Sequence, residues 1–194
     1  MCEREGEHLM EWSDGKTRCR WANPDNPRYL AYHDEEWGTP VHDDRTLFEM
    51  LVLEGFQAGL SWECILNKRE AFRRAFDNFD VEAVAAYGEE KLAALAADTG
   101  IVRNRLKIAA AVGNAQAFRR IQEEWGSFDA YLWHWADGST VREAGLASSP
   151  LSDAISKDLK KRGMKFVGTV IVYAYLQAVG VIDSHEPGCF LHRA

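Results

Sequence analysis

The stretch LFEMLVLEGFQAGLSW, residues 47–62, contains the pattern that decides the fold class of the chain. Its apolar residues recur at Leu47, Leu51 and Ala58, in a series whose spacings place them on one face of a helix. Just upstream, Asp43 or Asp44 is placed to cap the start of that helix. The sequence therefore predicts a helix that packs into the core.

A carboxylate interrupts this apolar face. Glu54 falls within the same series and is expected to point inward, whereas Glu49 is expected to point elsewhere. Burying an unpaired carboxylate is costly, so Glu54 needs a partner. Two interpretations are open: a structural partner, such as a backbone N–H or a neighbouring Arg, or a ligand that binds and leaves.

Helical patterns also dominate the remainder of the chain. Candidate helices lie at 61–76 with Ser61 as cap, 81–87, 89–98, 103–125, 152–163 with Ser152 as cap, and 166–180. The last segment is apolar on all sides, which predicts a central buried helix. Its β-branched run TVIVY could instead form a strand, but its length and the closing Gly180 favour a helix. The predicted fold class is all-α.

The length and composition suit one medium domain or two closely joined lobes, with 194 residues of which 46% are hydrophobic. Residues 1–18 are polar and form a predicted N-terminal extension, and residues 19–194 form the predicted globular domain. The segment MCEREGEHLMEW at the N-terminus has no apolar core and does not resemble a secretory signal, and no run is apolar enough to span a membrane. A cytoplasmic protein is expected.

The formal net charge of −7 argues against non-specific binding of phosphates. Two basic segments could still form a local site, RNRLK at 103–107 and KDLKKRGMK at 157–165. Each could equally be an ordinary solvated helix face. The first segment lies within DTGIVRNRLKI, residues 98–108, which predicts a helix that ends at Gly100 and another that begins near Arg103. Such a turn can offer backbone N–H groups to an anion, or it can be a plain tight corner.

Cysteine and histidine occur in two pairs near opposite ends of the predicted domain. Cys19 lies 14 positions before His33, and His185 lies four before Cys189. A cytosolic setting disfavours disulfides, and two Cys with two His form a common tetrahedral set for structural zinc. The spacing alone leaves a second interpretation open, in which the cysteines are free and the histidines are unrelated. His192 is close enough to Cys189 to act as a substitute ligand.

Aromatic residues are concentrated in RWANPDNPRYLAYHDEEWG, residues 20–38, and Trp62 follows Glu54. Buried aromatics most often belong to the core. A carboxylate surrounded by flat rings has a second use, because the rings stack on a planar heterocycle and attract cations. The carboxylate itself can accept hydrogen bonds from ring N–H groups.

Several separate motifs, in order, resemble one family. They are RCRWA, YLAYHDEEWGTP, LFEMLVLEGFQAGLSW, GIVRNRLKI, LKKRGMKFVGTVIVYAYLQAVG and HEPGC, which together cover essentially Cys19 to Cys189. On these residues the sequence is similar to the bacterial 3-methyladenine DNA glycosylase I family. The resemblance implies an all-α helix–hairpin–helix fold of two helical lobes. It also implies a structural zinc ion that ties the N- and C-terminal segments together and is held by residues matching Cys19, His33, His185 and Cys189.

The resemblance also assigns roles to other residues. Glu54 matches the family's base-recognition glutamate, which makes it the candidate catalytic residue. The aromatic walls of the base pocket match Trp21, Tyr29, Tyr32 and Trp62. The segment that fills the gap in the base stack matches Gly59 and Leu60, and the phosphate anchor matches the turn from Gly100 to Arg103.

The implied activity is hydrolysis of the N-glycosidic bond of 3-methyladenine in alkylated double-stranded DNA, with free 3-methyladenine as product. The predicted helix at 103–125 contains no Asp, as the family leads one to expect. No lysine is implicated as a nucleophile, so an enzyme that does not cleave the strand is expected. The protein is also expected to be a monomer. The main alternative is a non-catalytic, zinc-stapled protein that binds alkylation damage. A zinc hydrolase with an open metal position, and a glycosylase that also accepts 3-methylguanine, are further alternatives.

Overall fold

The computed structural model describes Trp12 and residues 14–193, and this part of the chain is mostly helical, as predicted. Its α-helices are α1 (Pro27–Ala31), α2 (Asp44–Gln57), α3 (Trp62–Asn67), α4 (Arg69–Ala75), α5 (Val81–Ala85), α6 (Glu89–Ala97), α7 (Arg105–Trp125), α8 (Phe128–His134), α9 (Pro150–Lys161) and α10 (Thr169–Ala178). A π-helical turn, Tyr32–Glu36, continues α1, and a 3₁₀ turn, Asp77–Phe79, follows α4.

The structure also contains a small sheet that the sequence did not predict. Strand β1 (Val141–Arg142) pairs in parallel with strand β2 (Ile182–Asp183). Two residues per strand are too few to produce an alternating pattern of apolar and polar residues, so periodicity could not reveal it. The pairing holds the segment before α9 against the segment after α10.

Helix α2 occupies the centre of the fold. Its ten consecutive residues from Leu47 to Phe56 are all buried, and it contacts α3, α7, α8 and α10. Asp43 is the capping residue, because its carboxylate accepts the backbone N–H of Thr46 at 2.8 Å. The next residue, Asp44, accepts the backbone N–H of Asp129 at 2.8 Å and so joins α2 to α8.

Because α2 is enclosed on all sides, Glu49 is buried as well as Glu54. The expectation that Glu49 points away from the Glu54 face holds, but its side chain does not reach solvent. It pairs instead with Arg69, and with Arg73 at 2.9 Å between Arg73 Nη2 and Glu49 Oε1. Glu49 is therefore a buried carboxylate whose negative charge is compensated by two arginines.

Two of the predicted helices differ in detail from the structure. The segment at 61–76 is divided at Lys68 into α3 and α4, and Ser61 caps α3 by accepting the backbone N–H of Cys64 at 3.2 Å. The prediction that Ser152 caps α9 is wrong. Ser149 is the cap, and its own backbone N–H donates to Ser152 Oγ at 2.9 Å in a reciprocal capping box.

The apolar segment near the C-terminus is a helix, α10, and not a strand. It is not buried on all sides, however, because Val170 is 56% exposed, so the central helix is α2. The other face of α10 places Tyr173 and Tyr175 in the core. In the described part of the chain, no helix is both long enough and apolar enough to cross a membrane.

Of the predicted N-terminal extension, residues 1–11 and 13 lie outside the described residues. The part that is described packs against the domain. Arg18 is 2% exposed, and its guanidinium binds the carboxylates of Asp14 and Asp34, each at 2.7 Å. The backbone carbonyl of Thr17 accepts the N–H of Phe190 at 2.8 Å.

A glycine after α10 offers a test of how tightly the chain packs. Gly180 has a φ of +71°, and a Cβ there would lie 2.3 Å from the backbone carbonyl carbon of Thr39. We expect Gly180→Ala to lower the free energy of unfolding by about 3 kcal/mol or more, from the sum of backbone strain and overlap. Urea unfolding followed by fluorescence measures the change.

The matched control is Gly126→Ala, at a φ of +84° with nothing within 4 Å of the added Cβ. That substitution should cost only the conformational term of about 1 kcal/mol. Equal losses at the two positions would contradict the close approach of residues 39 and 180.

Candidate functional site

A cavity of about 310 Å³ opens beside the last turns of α2. It is lined by Trp21, Tyr29, Tyr32, Trp37, Glu54, Gln57, Trp62, Gly145, Ala174, Gln177, Ser184 and Glu186. The structure therefore brings together Glu54 and the four aromatic residues predicted to form one pocket. A cavity of this size, lined by five aromatic and five polar or charged residues, is suited to a small planar ligand with polar edges.

The sequence analysis missed much of the polar lining. Gln57 follows Glu54 by three positions on the same helix, and helical spacing was the signal that could have found it. Gln177, Ser184 and Glu186 come from the C-terminal quarter of the chain. No local sequence pattern indicates that these three lie near α2. Only the tertiary packing brings them to the cavity.

Short irregular helices orient the aromatic residues. Asn26 caps α1 by accepting the backbone N–H groups of Arg28 and Tyr29. The π-helical turn that follows buries two consecutive side chains, with Tyr32 at the cavity and His33 on its far side. The wider turn of a π-helix alters side-chain directions and is common at functional sites.

The aromatic rings contact one another around the cavity. Trp21 packs edge-on against Tyr29 at 5.3 Å between ring centroids and against Trp37 at 4.9 Å. Tyr32 packs at a tilt against Trp62 at 5.3 Å. These contacts fix the rings against each other, and edge-to-face pairs of this kind contribute about 1 kcal/mol each beyond burial.

Glu54 is 3% exposed, and its Oε2 atom has no hydrogen-bond partner among the described residues. The same is true of the indole Nε1 of Trp62, which also lines the cavity. Burial raises the pKa of Glu54 to about 8. Burial and the nearby Glu54 carboxylate also raise the pKa of Tyr32. Of the two interpretations of Glu54, the geometry favours a ligand over a structural partner.

A second cluster lies behind the aromatic wall. Cys19, His33 and Cys189 are buried, and their candidate ligand atoms lie within 4.8 Å of one another. His33 directs Nδ1 to Asp34 at 2.8 Å, which leaves Nε2 to face Cys189 Sγ at 3.6 Å. Hydrogen bonding of the second ring nitrogen to a carboxylate is the usual arrangement of a metal-binding histidine.

His185, the fourth predicted ligand, stands beside this group of three. Its ring centroid is 5.4 Å from that of His33. Its Nδ1 contacts Asp183 at 2.7 Å, while its Nε2 is buried without a partner in the described chain. Two thiols and two imidazole Nε2 atoms in one buried place are a donor set that fits a tetrahedral metal ion. His192 bonds instead to the backbone carbonyl of His185 at 2.8 Å.

The two clusters share walls. The ring of Trp21 contacts His33 at 5.1 Å, and the ring of Trp37 contacts His185 at 4.7 Å. The backbone N–H of Glu186 donates to Cys19 Sγ at 3.4 Å. The cysteine and histidine cluster therefore holds the C-terminal segment against the aromatic residues near the N-terminus.

The four residues predicted to contact DNA do not line the cavity but lie on two turns. Gly59 has a φ of +82° in the turn that joins α2 to α3, and Leu60 beside it is 41% exposed. Gly100 donates its N–H to Asp98 Oδ1 at 2.7 Å, and Arg103 is exposed. The second turn is longer than predicted, because α6 ends at Ala97 and α7 begins at Arg105 behind an Asn104 cap.

Comparison with known proteins gives a consistent result. A family model described as methyladenine glycosylase matches residues 21–192. DNA-3-methyladenine glycosylase 1 of Escherichia coli (strain K12) is 46% identical over 179 residues, which cover 89% of this chain and 95% of that protein.

Solved structures agree with the sequence comparison. A crystal structure of 3-methyladenine DNA glycosylase I (TAG) superposes with a TM-score of 0.87 at 45% identity, covering 91% of this chain and all of the other. A single-residue variant of 3-methyladenine DNA glycosylase I in complex with 3-methyladenine superposes with a TM-score of 0.83 at 37% identity. It covers 85% of this chain and 92% of the other.

The raised pKa of Glu54 predicts a pH-dependent effect of Glu54→Gln on stability. Above its ordinary value of 4.5 the unfolded chain ionises this group, whereas the folded chain keeps it neutral up to about pH 8. Glu54 therefore makes the wild type lose stability as the pH rises through this window. We expect Glu54→Gln to be the more stable protein at pH 8, by on the order of 2 kcal/mol, and to lose this advantage near pH 4.

Glu49→Gln is the matched control, because Glu49 is equally buried on the same helix but is paired with Arg69 and Arg73. Removing its charge should destabilise the protein at neutral pH, since it leaves buried Arg69 with less compensation. Both are measured by urea unfolding between pH 4 and 8. A Glu54→Gln variant that is less stable at every pH would show that Glu54 has a structural partner.

Proposed function

This chain belongs to the methyladenine glycosylase family, and from that premise we propose that it is a base-excision glycosylase that removes 3-methyladenine from alkylated DNA, with the cavity around Glu54 as its base pocket. The observation that carries this proposal is the buried, unpaired carboxylate in an aromatic cavity. Such a site is complementary to a flat base that bears positive charge and N–H donors.

The stacked duplex does not expose the glycosidic bond, so the damaged nucleotide must be turned out of the helix to enter the cavity. Trp21, Tyr29, Tyr32 and Trp62 supply the rings on which the base stacks. Glu54 accepts a hydrogen bond from the base and faces its charge. As a cation approaches, the carboxyl group ionises more readily, because an opposite charge favours the charged form.

The chemistry requires little proton transfer. A base methylated at N3 is cationic in DNA and leaves as a neutral molecule, so the leaving group is already activated. What remains is to stabilise the developing charge, which a pre-organised carboxylate and stacked rings can do in a site that excludes water. No lysine is among the residues that line the cavity, so we propose a monofunctional enzyme that leaves the DNA strand intact.

We propose that the two exposed turns contact the DNA. Helices α6 and α7 with the turn between them would act as a helix–hairpin–helix element, in which Gly100 and Arg103 hold a phosphate. Gly59 and Leu60 would enter the space that the extruded nucleotide leaves. The exposed Lys160 and Lys161 at the end of α9 would add positive charge at the DNA face.

We further propose that Cys19, His33, His185 and Cys189 hold one zinc ion with a purely structural role. Four protein ligands close the coordination sphere and leave no position for a reacting water, which argues against a zinc hydrolase. The ion would hold the wall formed by Trp21 and Trp37 in place, because its ligands would join the segment at 19–33 to the segment at 185–189. We expect the protein to act as a monomer in the cytoplasm.

The first test is release of free base from methylated double-stranded DNA. The wild type should release 3-methyladenine with little 7-methylguanine, and Glu54→Gln should release it at least about 10-fold more slowly, because the carboxylate that holds the cationic base in the cavity is lost. Chromatography of the ethanol-soluble products measures both. The DNA should carry no new strand breaks.

Glu123→Gln is the control, since Glu123 is an exposed carboxylate on α7 that does not line the cavity. It should excise the base at the wild-type rate. A folded wild type that binds methylated DNA but releases no base would overturn the enzymatic proposal in favour of a damage-binding protein.

The second test concerns the metal. The purified protein should contain one zinc per chain by elemental analysis, and Cys189→Ser should contain little and unfold at a lower temperature. Cys64→Ser is the control, because Cys64 lies on α3 outside the cluster. A cobalt-substituted sample should show a four-coordinate spectrum that does not change when 3-methyladenine binds. A zinc-free wild type of full activity and stability would contradict the assignment.

A further inference from the structure

Lys107 is a buried lysine whose ammonium group contacts backbone rather than a carboxylate. It is 7% exposed, and Nζ donates to the carbonyl oxygens of Phe56 at 2.8 Å and Ala58 at 2.5 Å. Burial lowers the pKa of this lysine. A cation placed at the C-terminal end of a helix is favoured by the helix dipole and satisfies carbonyls that have no partner within the helix.

The acceptors of Lys107 belong to the turn that follows Glu54. Leu60 donates its N–H to the carbonyl of Gln57 at 2.6 Å, Ala58 has φ −47° and ψ 110°, and Gly59 has φ +82°. These angles define a type II turn, in which the central peptide is flipped relative to a type I turn. The carbonyl of that central peptide is the one on Ala58, so the bond from Lys107 selects one of the two orientations.

Lys107 also stands at the junction between the cavity and the second turn. It is the third residue of α7, and the Asn104 side chain that caps this helix accepts its backbone N–H at 3.2 Å. Its side chain thus joins the start of α7, which follows the 98–104 turn, to the end of α2, which carries Glu54 and Gln57. One residue links the proposed phosphate anchor to the proposed base pocket.

We propose that Lys107 is a positioning residue for base excision, because it holds the Gln57–Leu60 turn in its type II form and fixes the base pocket relative to the DNA anchor. This inference rests on the proposed function. Lys107 is not among the residues that line the cavity and need not contact the base. Its effect reaches the reaction through the position of the turn and through the end of α2.

The two-part role predicts a split between binding and rate. Lys107→Met keeps an unbranched apolar stem that is one atom shorter and removes the donors. The folded variant should bind free 3-methyladenine, followed by tryptophan fluorescence, within about twofold of the wild type. Its single-turnover rate of excision from methylated DNA at saturating enzyme should fall by about 10- to 100-fold, as expected when reacting groups are displaced by about 1 Å.

A second variant tests whether the effect passes through the turn. Gly59→Ala has no protein atom within 4 Å of the added Cβ, so within the protein its consequence is confined to the backbone angle that the type II turn requires. If Lys107 acts by holding that turn, the double variant should be no slower than the slower single variant. Independent effects would instead multiply.

Gln116→Met is the matched control for Lys107→Met. Gln116 also lies on α7 and donates to a backbone carbonyl at the end of a neighbouring helix, that of Ala85 at 3.1 Å, but α5 contributes nothing to the cavity. It should lower stability without changing the excision rate. This control separates the loss of a helix-end hydrogen bond from the loss of positioning.

Three outcomes would overturn the inference while the wild type remains active. They are an unchanged excision rate in folded Lys107→Met, an equal loss of free-base affinity and rate, and multiplicative effects in the double variant. A wild type that releases no base would overturn the proposed function and this inference with it.

Discussion

The carboxylate of Glu54 at the enclosed end of α2 is the constraint around which the structure is arranged. Its helix is buried over ten consecutive residues, so the side chain has no route to solvent except through the cavity. A charged group without a partner is costly there, and the group remains neutral over a wide range of pH until a cation arrives. The cavity walls must therefore be rigid and carry no cationic side chain, because an arginine in the wall would satisfy the carboxylate permanently. Aromatic rings meet both conditions.

The other buried glutamate of α2 shows what the alternative looks like. Glu49 binds Arg69 and Arg73, and Arg69 also reaches Glu36 in the π-helical turn at 2.6 Å. That network uses charge to hold α2, α4 and the turn together, and its carboxylate is unavailable to any ligand. Helix α2 thus carries one glutamate, Glu49, that is paired with arginines, and five positions later a second, Glu54, that has no such partner among the described residues. The difference distinguishes a carboxylate that stabilises the fold from one that is left available to a ligand.

Much of this arrangement could be predicted from sequence, and the failures have physical causes. Helical spacing was sufficient to place Glu54 inward, and the aromatic residues, cysteines and histidines that the resemblance named lie close together in the structure. Local rules failed where a short motif contains two residues that could each cap the same helix, as with Ser149 and Ser152 at the start of α9. Periodicity could not reveal that Gln177 and Ser184 complete the cavity, since their position depends on how α10 packs against α2 and how β2 packs against α10. The role of Lys107 is likewise visible only in three dimensions, because on α7 it is one of several basic residues.

The acidic net charge fits a protein that gains its specificity from the cavity rather than from electrostatic affinity. With a formal charge of −7, attraction to the phosphate backbone must come from a few local contacts, and each contributes a separate increment to the salt dependence of binding. Weak, localised contact allows the protein to leave undamaged DNA quickly, and only a base that matches the cavity prolongs the encounter. Such a division of labour would require that the proposed phosphate anchor and the cavity keep a fixed relative position, because neither alone would hold the nucleotide. Lys107 joins the end of α2 to the start of α7 and would fix the position of the proposed anchor relative to the cavity.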